Sequence, residues 1–189
     1  MAGSTRLRRD ARDNRAKLHA AALEIFLAKG LDAPLDEIAR AAGVSIGTLY
    51  NRFGSREGLI DAVIPDVAGS RLRALGATVL AKDTARQRLD AFVHGMMDLQ
   101  RDDPALNDAI LRRYPGAAAL VHVCDHTTAL GRDLVGEAHA DGSLSPAFTE
   151  SDLFNLLWLA GIASRDPAAP PGWERSITRS LEAAWIRAG

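Results

Sequence analysis

A chain of 189 residues that is 47% hydrophobic and 25% charged, with a formal net charge of -1, has the composition of one or two small globular domains, which excludes disordered and collagen-like chains. Its single cysteine, Cys124, excludes a disulfide-stapled secreted scaffold and makes a reducing cytoplasm the expected compartment, and with neither an apolar signal stretch nor a run near the ~20 residues of a bilayer span, no membrane partner is expected. The total charge hides an asymmetry: residues 1–58 carry ten Lys and Arg against seven Asp and Glu, a balance of +3, and residues 59–189 carry thirteen against seventeen, a balance of -4, so the two parts face different partners.

The first fifteen residues hold Arg6, Arg8, Arg9, Arg12 and Arg15 against Asp10 and Asp13; such a run is either a solvated tail or an arm that tracks phosphates. Over residues 12–29, Leu18, Ala21, Ala22, Ile25 and Phe26 recur at three- and four-residue spacing and paint one face of a helix, which Gly30 can end. A second helix follows Pro34, with Leu35, Ile38, Ala39 and Ala42 on one face. Asp36 and Glu37 lie in its first turn, where the positive helix end favours them, and Gly43 ends it. Residues 46–52 form a third helix with Leu49 and Phe53 facing inward. After Gly54, Ser55 can cap a fourth that runs through Leu59, Ile60, Val63 and Ile64.

Pro65 either kinks or ends that fourth helix. Beyond it the apolar pattern predicts helices over residues 84–102, 104–113, 117–140, 149–165 and 173–187, separated by clusters of turn residues, with no alternating strand pattern. The expected fold is all-α: an N-terminal arm and helix-turn-helix unit over residues 1–58, and a helical bundle for effector binding and dimerisation over residues 59–189.

The stretch from Leu35 to Phe53 carries the chemistry. A short helix, a glycine-centred turn and a second short helix make a helix-turn-helix, in which the first helix lies across the DNA backbone and the second enters the major groove. Ala39 is small where the helices cross, Gly43 supplies the turn, and Val44 with Leu49 fills the space beneath it. The outward side of the second helix keeps Ser45, Ile46, Gly47, Thr48, Tyr50, Asn51 and Arg52. Those side chains can donate to phosphates, touch a thymine methyl or read base edges. A glycine inside a helix costs about 1 kcal/mol relative to alanine, so Gly47 points to a close approach of something to this backbone, the other reading being a packing contact within the chain.

The segment from Leu18 to Gly30, followed by Leu35 to Leu59 with its Val44-Ser-Ile-Gly-Thr-Leu-Tyr-Asn-Arg-Phe53 core, resembles the N-terminal domain of TetR-family transcriptional regulators. The resemblance covers residues 12–64. It implies an all-α, homodimeric, cytoplasmic repressor whose variable C-terminal part binds a small effector and releases operator DNA. It further implies that Ser45, Gly47, Thr48, Tyr50, Asn51 and Arg52 occupy recognition-helix positions, with Thr48 and Tyr50 near phosphates. Arg56 stands where the family usually has lysine and would anchor a phosphate, with Arg8, Arg9 and Arg12 adding charge from the arm. Ile46 departs from the family's frequent lysine and exchanges a polar contact for an apolar one with a thymine methyl. Leu35 stands where hydroxyl residues are common, which removes a usual backbone contact.

Other motifs carry less. Gly43-Val-Ser-Ile-Gly47 fits the nucleophile elbow of hydrolases, but the helical period before it and the lack of a parallel-sheet pattern argue against an enzyme. His122 and His126 share a helix face while Cys124 points away, so no metal and no cofactor are expected. Phe92, His94, Met97, His122, His126 and Trp158 are the candidates for lining a cavity that suits a small, largely apolar effector, with core packing as the other reading. For the dimer interface the last two helices, over residues 149–165 and 173–187, are favoured, because Leu153, Leu156, Leu157, Trp158, Trp185 and Ile186 offer more apolar surface than a small bundle buries easily, the other reading being that they close the chain's own core. Two recognition helices in successive major grooves predict half-sites about 34–36 Å apart, or a multiple of that. The rival is a helical small-molecule-binding protein or enzyme that keeps the motif without binding DNA.

Overall fold

The computed structural model describes residues 2–112 and 114–186, with side chains from Asp13 onward. Among the described residues the chain is all α-helix: α1 (Ala2–Lys29), α2 (Leu35–Ala41), α3 (Ile46–Phe53), α4 (Arg56–Val63), α5 (Pro65–Leu80), α6 (Ala85–Asp102), α7 (Pro104–Leu111), α8 (Ala118–Ala140), α9 (Glu150–Arg165) and α10 (Trp173–Ala184).

The head packs α1 to α4 around one apolar core. Leu18, Ala22 and Phe26 of α1 meet Leu35, Ile38 and Ala39 of α2, Leu49 of α3, and Leu59, Ile60 and Val63 of α4, all buried. The spacing of these positions is the helical three-and-four repeat, so each helix turns a single stripe inward. Between α2 and α3 the chain reverses at Gly43, whose φ of +68° lies in the left-handed region that a Cβ disfavours. Ser45 then caps α3, its Oγ accepting from Thr48 N at 3.1 Å, and Ser55 caps α4 in the same way through Gly58 N at 3.0 Å.

Pro65 ends α4 and opens α5 at once. Proline suits the first helical position, where no N–H is needed. Ile64 alone stands between the two helices and keeps a helical conformation, donating to Ile60 O at 2.9 Å and accepting from Ala68 N at 2.9 Å.

In the body α6 is central and packs against α5, α7, α8 and α9, burying Leu89, Phe92, Val93 and Met96. After α10 the chain closes back on the bundle. Trp185 forms an isolated antiparallel bridge with Leu144, its ring nitrogen donates to Asp90 at 3.1 Å, and the Arg86 guanidinium lies 5.2 Å from its ring centroid.

Candidate functional site

The outward face of α3 is free. Ser45, Ile46, Gly47, Asn51 and Arg52 are exposed, as is Tyr50 at 48%, while Leu49 is buried and Phe53 packs inward. Thr48 is half-buried, its hydroxyl 2.9 Å from Ser45 Oγ, a second contact beside the Ser45 cap at the start of the helix. A Cβ added at Gly47 would meet only Ser45 Oγ, at 3.8 Å. Among the described residues nothing therefore packs against Gly47, so a residue that weakens the helix by about 1 kcal/mol has no packing contact there. Arg56 Nη1 donates to Leu31 O at 2.8 Å and Ala33 O at 2.7 Å, which fastens the α1–α2 loop to α4. The side chains of Arg8, Arg9 and Arg12 lie outside the described residues.

Within the body a cavity of about 870 Å³ opens among α5 to α9. Leu72, Phe92, Met96, Leu120, Cys124, Phe154 and Trp158 supply apolar walls, and Tyr114, Thr128 and Asn155 are among its polar lining. Phe92 and Trp158 thus face the cavity. Met97 is buried but does not reach it, and His94, His122 and His126 lie on other faces. Helix geometry is the reason. With Phe92 and Met96 aimed at the cavity, position 94 is turned to the far side of α6, where His94 Nε2 sits 3.3 Å from the Thr178 hydroxyl of α10. On α8, Leu120, Cys124 and Thr128 face the cavity at four-residue intervals, so positions 122 and 126 face away. The same interval would have selected Cys124, whose burial pushes its thiol up to about 11 and leaves it an unreactive part of the wall near neutral pH. Tyr114 lies in a Tyr-Pro-Gly turn that periodicity does not reach; its ring lines the cavity and its hydroxyl is buried without a partner among the described residues.

Head and body meet along two lines. On one, α7 lies against α1: Asp108 Oδ2 accepts from Leu31 N at 2.7 Å, Arg112 pairs with Asp32, and Arg165 Nη2 donates to Lys29 O at 3.2 Å. Burial raises the Asp108 carboxyl above its ordinary value, with the Leu31 amide and Arg165 acting in the other direction. On the other, α4 presents carboxylates to the start of α8.

The outer face of α9 leaves Trp158 and Leu159 about half exposed, at 50% and 52%, beside the exposed Ile162. The apolar residues expected at a dimer interface divide here: Leu153, Leu157 and Trp185 close the chain's own core, Leu156 packs against it, and Trp158 and Ile186 remain outside.

Residues 18–63 match the family described as bacterial regulatory proteins, tetR family. The HTH-type transcriptional regulator BetI of Ectopseudomonas mendocina is 31% identical over 163 residues, which cover 79% of this chain and 82% of that protein. Other curated regulators of this kind are spanned over only 26% to 45% of their length. Among solved structures, a TetR transcriptional regulator from Streptomyces coelicolor superposes with a TM-score of 0.53 at 29% identity, over 92% of this chain and 99% of that one. The fold alone is shared with the transcriptional regulator FadR of Bacillus subtilis, solved in complex with stearoyl-CoA, at a TM-score of 0.64 and 16% identity over 92% of this chain and 100% of that one. With sequence similarity running from the helix-turn-helix through most of the body, the chain belongs to the TetR family of bacterial transcriptional regulators.

Proposed function

We propose that this chain is a sequence-specific DNA-binding regulator, a repressor that leaves its operator when a small, largely apolar effector fills the body cavity. The observation that carries the reading is the outward face of α3: an exposed aliphatic side chain, an exposed aromatic ring and a helix-weakening glycine stand together where none of the described residues packs on them. In this reading Thr48 and Tyr50 bind phosphates, Ser45, Asn51 and Arg52 reach phosphates or base edges, Ile46 lies on a thymine methyl, and Gly47 lets the backbone come close. Arg8, Arg9, Arg12 and the donors of Arg56 not held by the loop add sequence-independent attraction. A second copy of the chain docks on Trp158, Leu159 and Ile162 of α9 and supplies the second head. The division into residues 1–58 and 59–189 is a division of labour, with the boundary inside α4.

Phe92, Trp158 and their neighbours line the effector site. Because FadR of Bacillus subtilis is solved with stearoyl-CoA, compounds with acyl chains are the first class to screen. The test is selection of binding sites from random duplex DNA, followed by filter binding of the enriched duplex across a salt series. The reading expects an enriched pseudo-palindrome whose affinity falls steeply with salt; no enrichment, or binding insensitive to salt, would overturn it.

A further inference from the structure

The first turn of α8 has no cap of its own. Ala117 stands at the N-cap position and offers no side-chain acceptor, so the first N–H groups of the helix need partners from elsewhere. They come from α4. Asp61 Oδ1 accepts from Ala119 N at 2.7 Å and Leu120 N at 3.2 Å, the second and third helical donors that a capping side chain ordinarily serves. Glu57, four residues earlier and so on the same face of α4, accepts from Gly116 N through Oε2. At Gly116 an added Cβ would collide with that carboxylate, so the chain there is held closely against α4. Both carboxylates lie at the positive end of the α8 dipole.

On its other side α4 is part of the head. Leu59, Ile60 and Val63 sit in the head core, and Arg56 holds the α1–α2 loop. Leu120 connects the two environments, since its amide is bonded to Asp61 and its side chain lines the cavity next to Val121 and Cys124. A ligand that displaces the first turn of α8 must either carry α4 with it or break these bonds.

We propose that Asp61 and Glu57 form a cap in trans and are the positioning residues through which occupancy of the cavity is passed to α4, and so to the setting of α3. The proposal rests on the regulator reading above and assigns its coupling to a named junction. A ligand shifts the head only through its different affinities for the two arrangements of that junction.

The sole cysteine, on the cavity wall, allows a test with a covalent occupant. Wild-type protein labelled at Cys124 with methyl methanethiosulfonate, which transfers its methylthio group to the thiolate and releases methanesulfinate, to one equivalent by mass spectrometry, should bind the selected operator about tenfold more weakly than unlabelled protein, and the Cys124→Ser protein should not respond to the reagent. In Asp61→Ala, labelled and unlabelled forms should bind within about twofold of each other, whereas Asp61→Asn, which keeps an acceptor oxygen, should recover most of the difference. Amide exchange at Ala119 and Leu120 should quicken about tenfold in Asp61→Ala while the core of α6 stays protected, which separates a lost cap from a lost fold. The proposal is overturned if Asp61→Ala keeps the full response to labelling, if those amides exchange no faster, if labelling leaves wild-type affinity unchanged, or if Asp108→Asn alone removes the response, which would place the coupling in α7. Failure of the wild-type protein to enrich any DNA sequence is a separate result and overturns the regulator reading itself.

Discussion

In the head the buried side chains among the described residues are apolar and the anomalous residues, Ile46, Gly47 and Tyr50, stand exposed; in the body the buried set includes Gln100, Asp103, Asn107 and Asp108, while Leu159 and Ile162 lie outside. The buried polar groups of the body have defined tasks. Gln100 and Asn107 donate to the α9 carbonyls of Leu157 and Gly161, both at 3.1 Å. Asp103 caps α7 and pairs with Arg71, and Asp108 takes the Leu31 amide. Such groups fix how helices sit against one another, and the amide oxygens of Gln100 and Asn107, left without partners among the described residues, are the cost. The difference teaches where each part keeps its function. In the proposed reading the head holds it on the exposed face of α3, and the body holds it in the arrangement of helices around a cavity.

Substitutions can break or sharpen this contrast. The largest effect is expected for Leu49→Ala, which empties a fully buried site in the head and should cost about 2–5 kcal/mol in denaturant unfolding. Leu159→Ala removes the same side chain from the exposed face of α9 and should stay within about 0.5 kcal/mol; equal costs would erase the distinction between the two surfaces. Ile162→Glu places a charge on that face at a position outside the cavity lining. Sedimentation should show the protein as a monomer, with operator affinity falling because one head binds without the other, and a folded dimer of unchanged mass would move the interface elsewhere.

Gly47→Ala should separate stability from recognition. With no neighbour among the described residues to clash with the new methyl group, the head should gain up to about 1 kcal/mol. Operator binding should fall by about tenfold in the same protein, as a close backbone approach is lost. Gain or loss of both together would return Gly47 to an ordinary structural role.

The smallest expected effect is at Asp108. Because burial raises its carboxyl above the ordinary 3.8, the fold favours its protonated form. The stability this contributes is complete below 3.8 and is lost as pH rises through the raised folded value. Asp108→Asn cannot titrate, so the melting midpoint of the wild type relative to this variant should rise on acidification through that window. Parallel curves would remove Asp108 from the pH response.

The head is the more legible region because its signals are local. Apolar spacing, Gly43, and the capping serines Ser45 and Ser55 each act within a few residues of where they stand. The body depends on contacts between distant segments. Periodicity places Phe92 and Met96 on one face but does not say which face of α6 meets the cavity, and this is how His94, His122 and His126 come to be named while facing away from it. Helix α5 escapes the pattern because the helical period runs unbroken through Ile64 to Pro65, with no glycine to mark an end. The carboxylate that caps α8 stands on α4, 58 positions before the Ala119 amide it serves. Its only local sign is a helix that opens on Ala117 and Ala118 with no capping residue.

Repeating the site selection with Asn51→Ala and Arg52→Ala proteins addresses the reading surface most directly. If the outward face of α3 reads the bases, the enriched sequence within each half-site changes or relaxes, while the spacing of about 34–36 Å, or its multiple, is kept. Recovery of the wild-type consensus at wild-type affinity by both variants would contradict the account, because the element that reads DNA would then lie elsewhere.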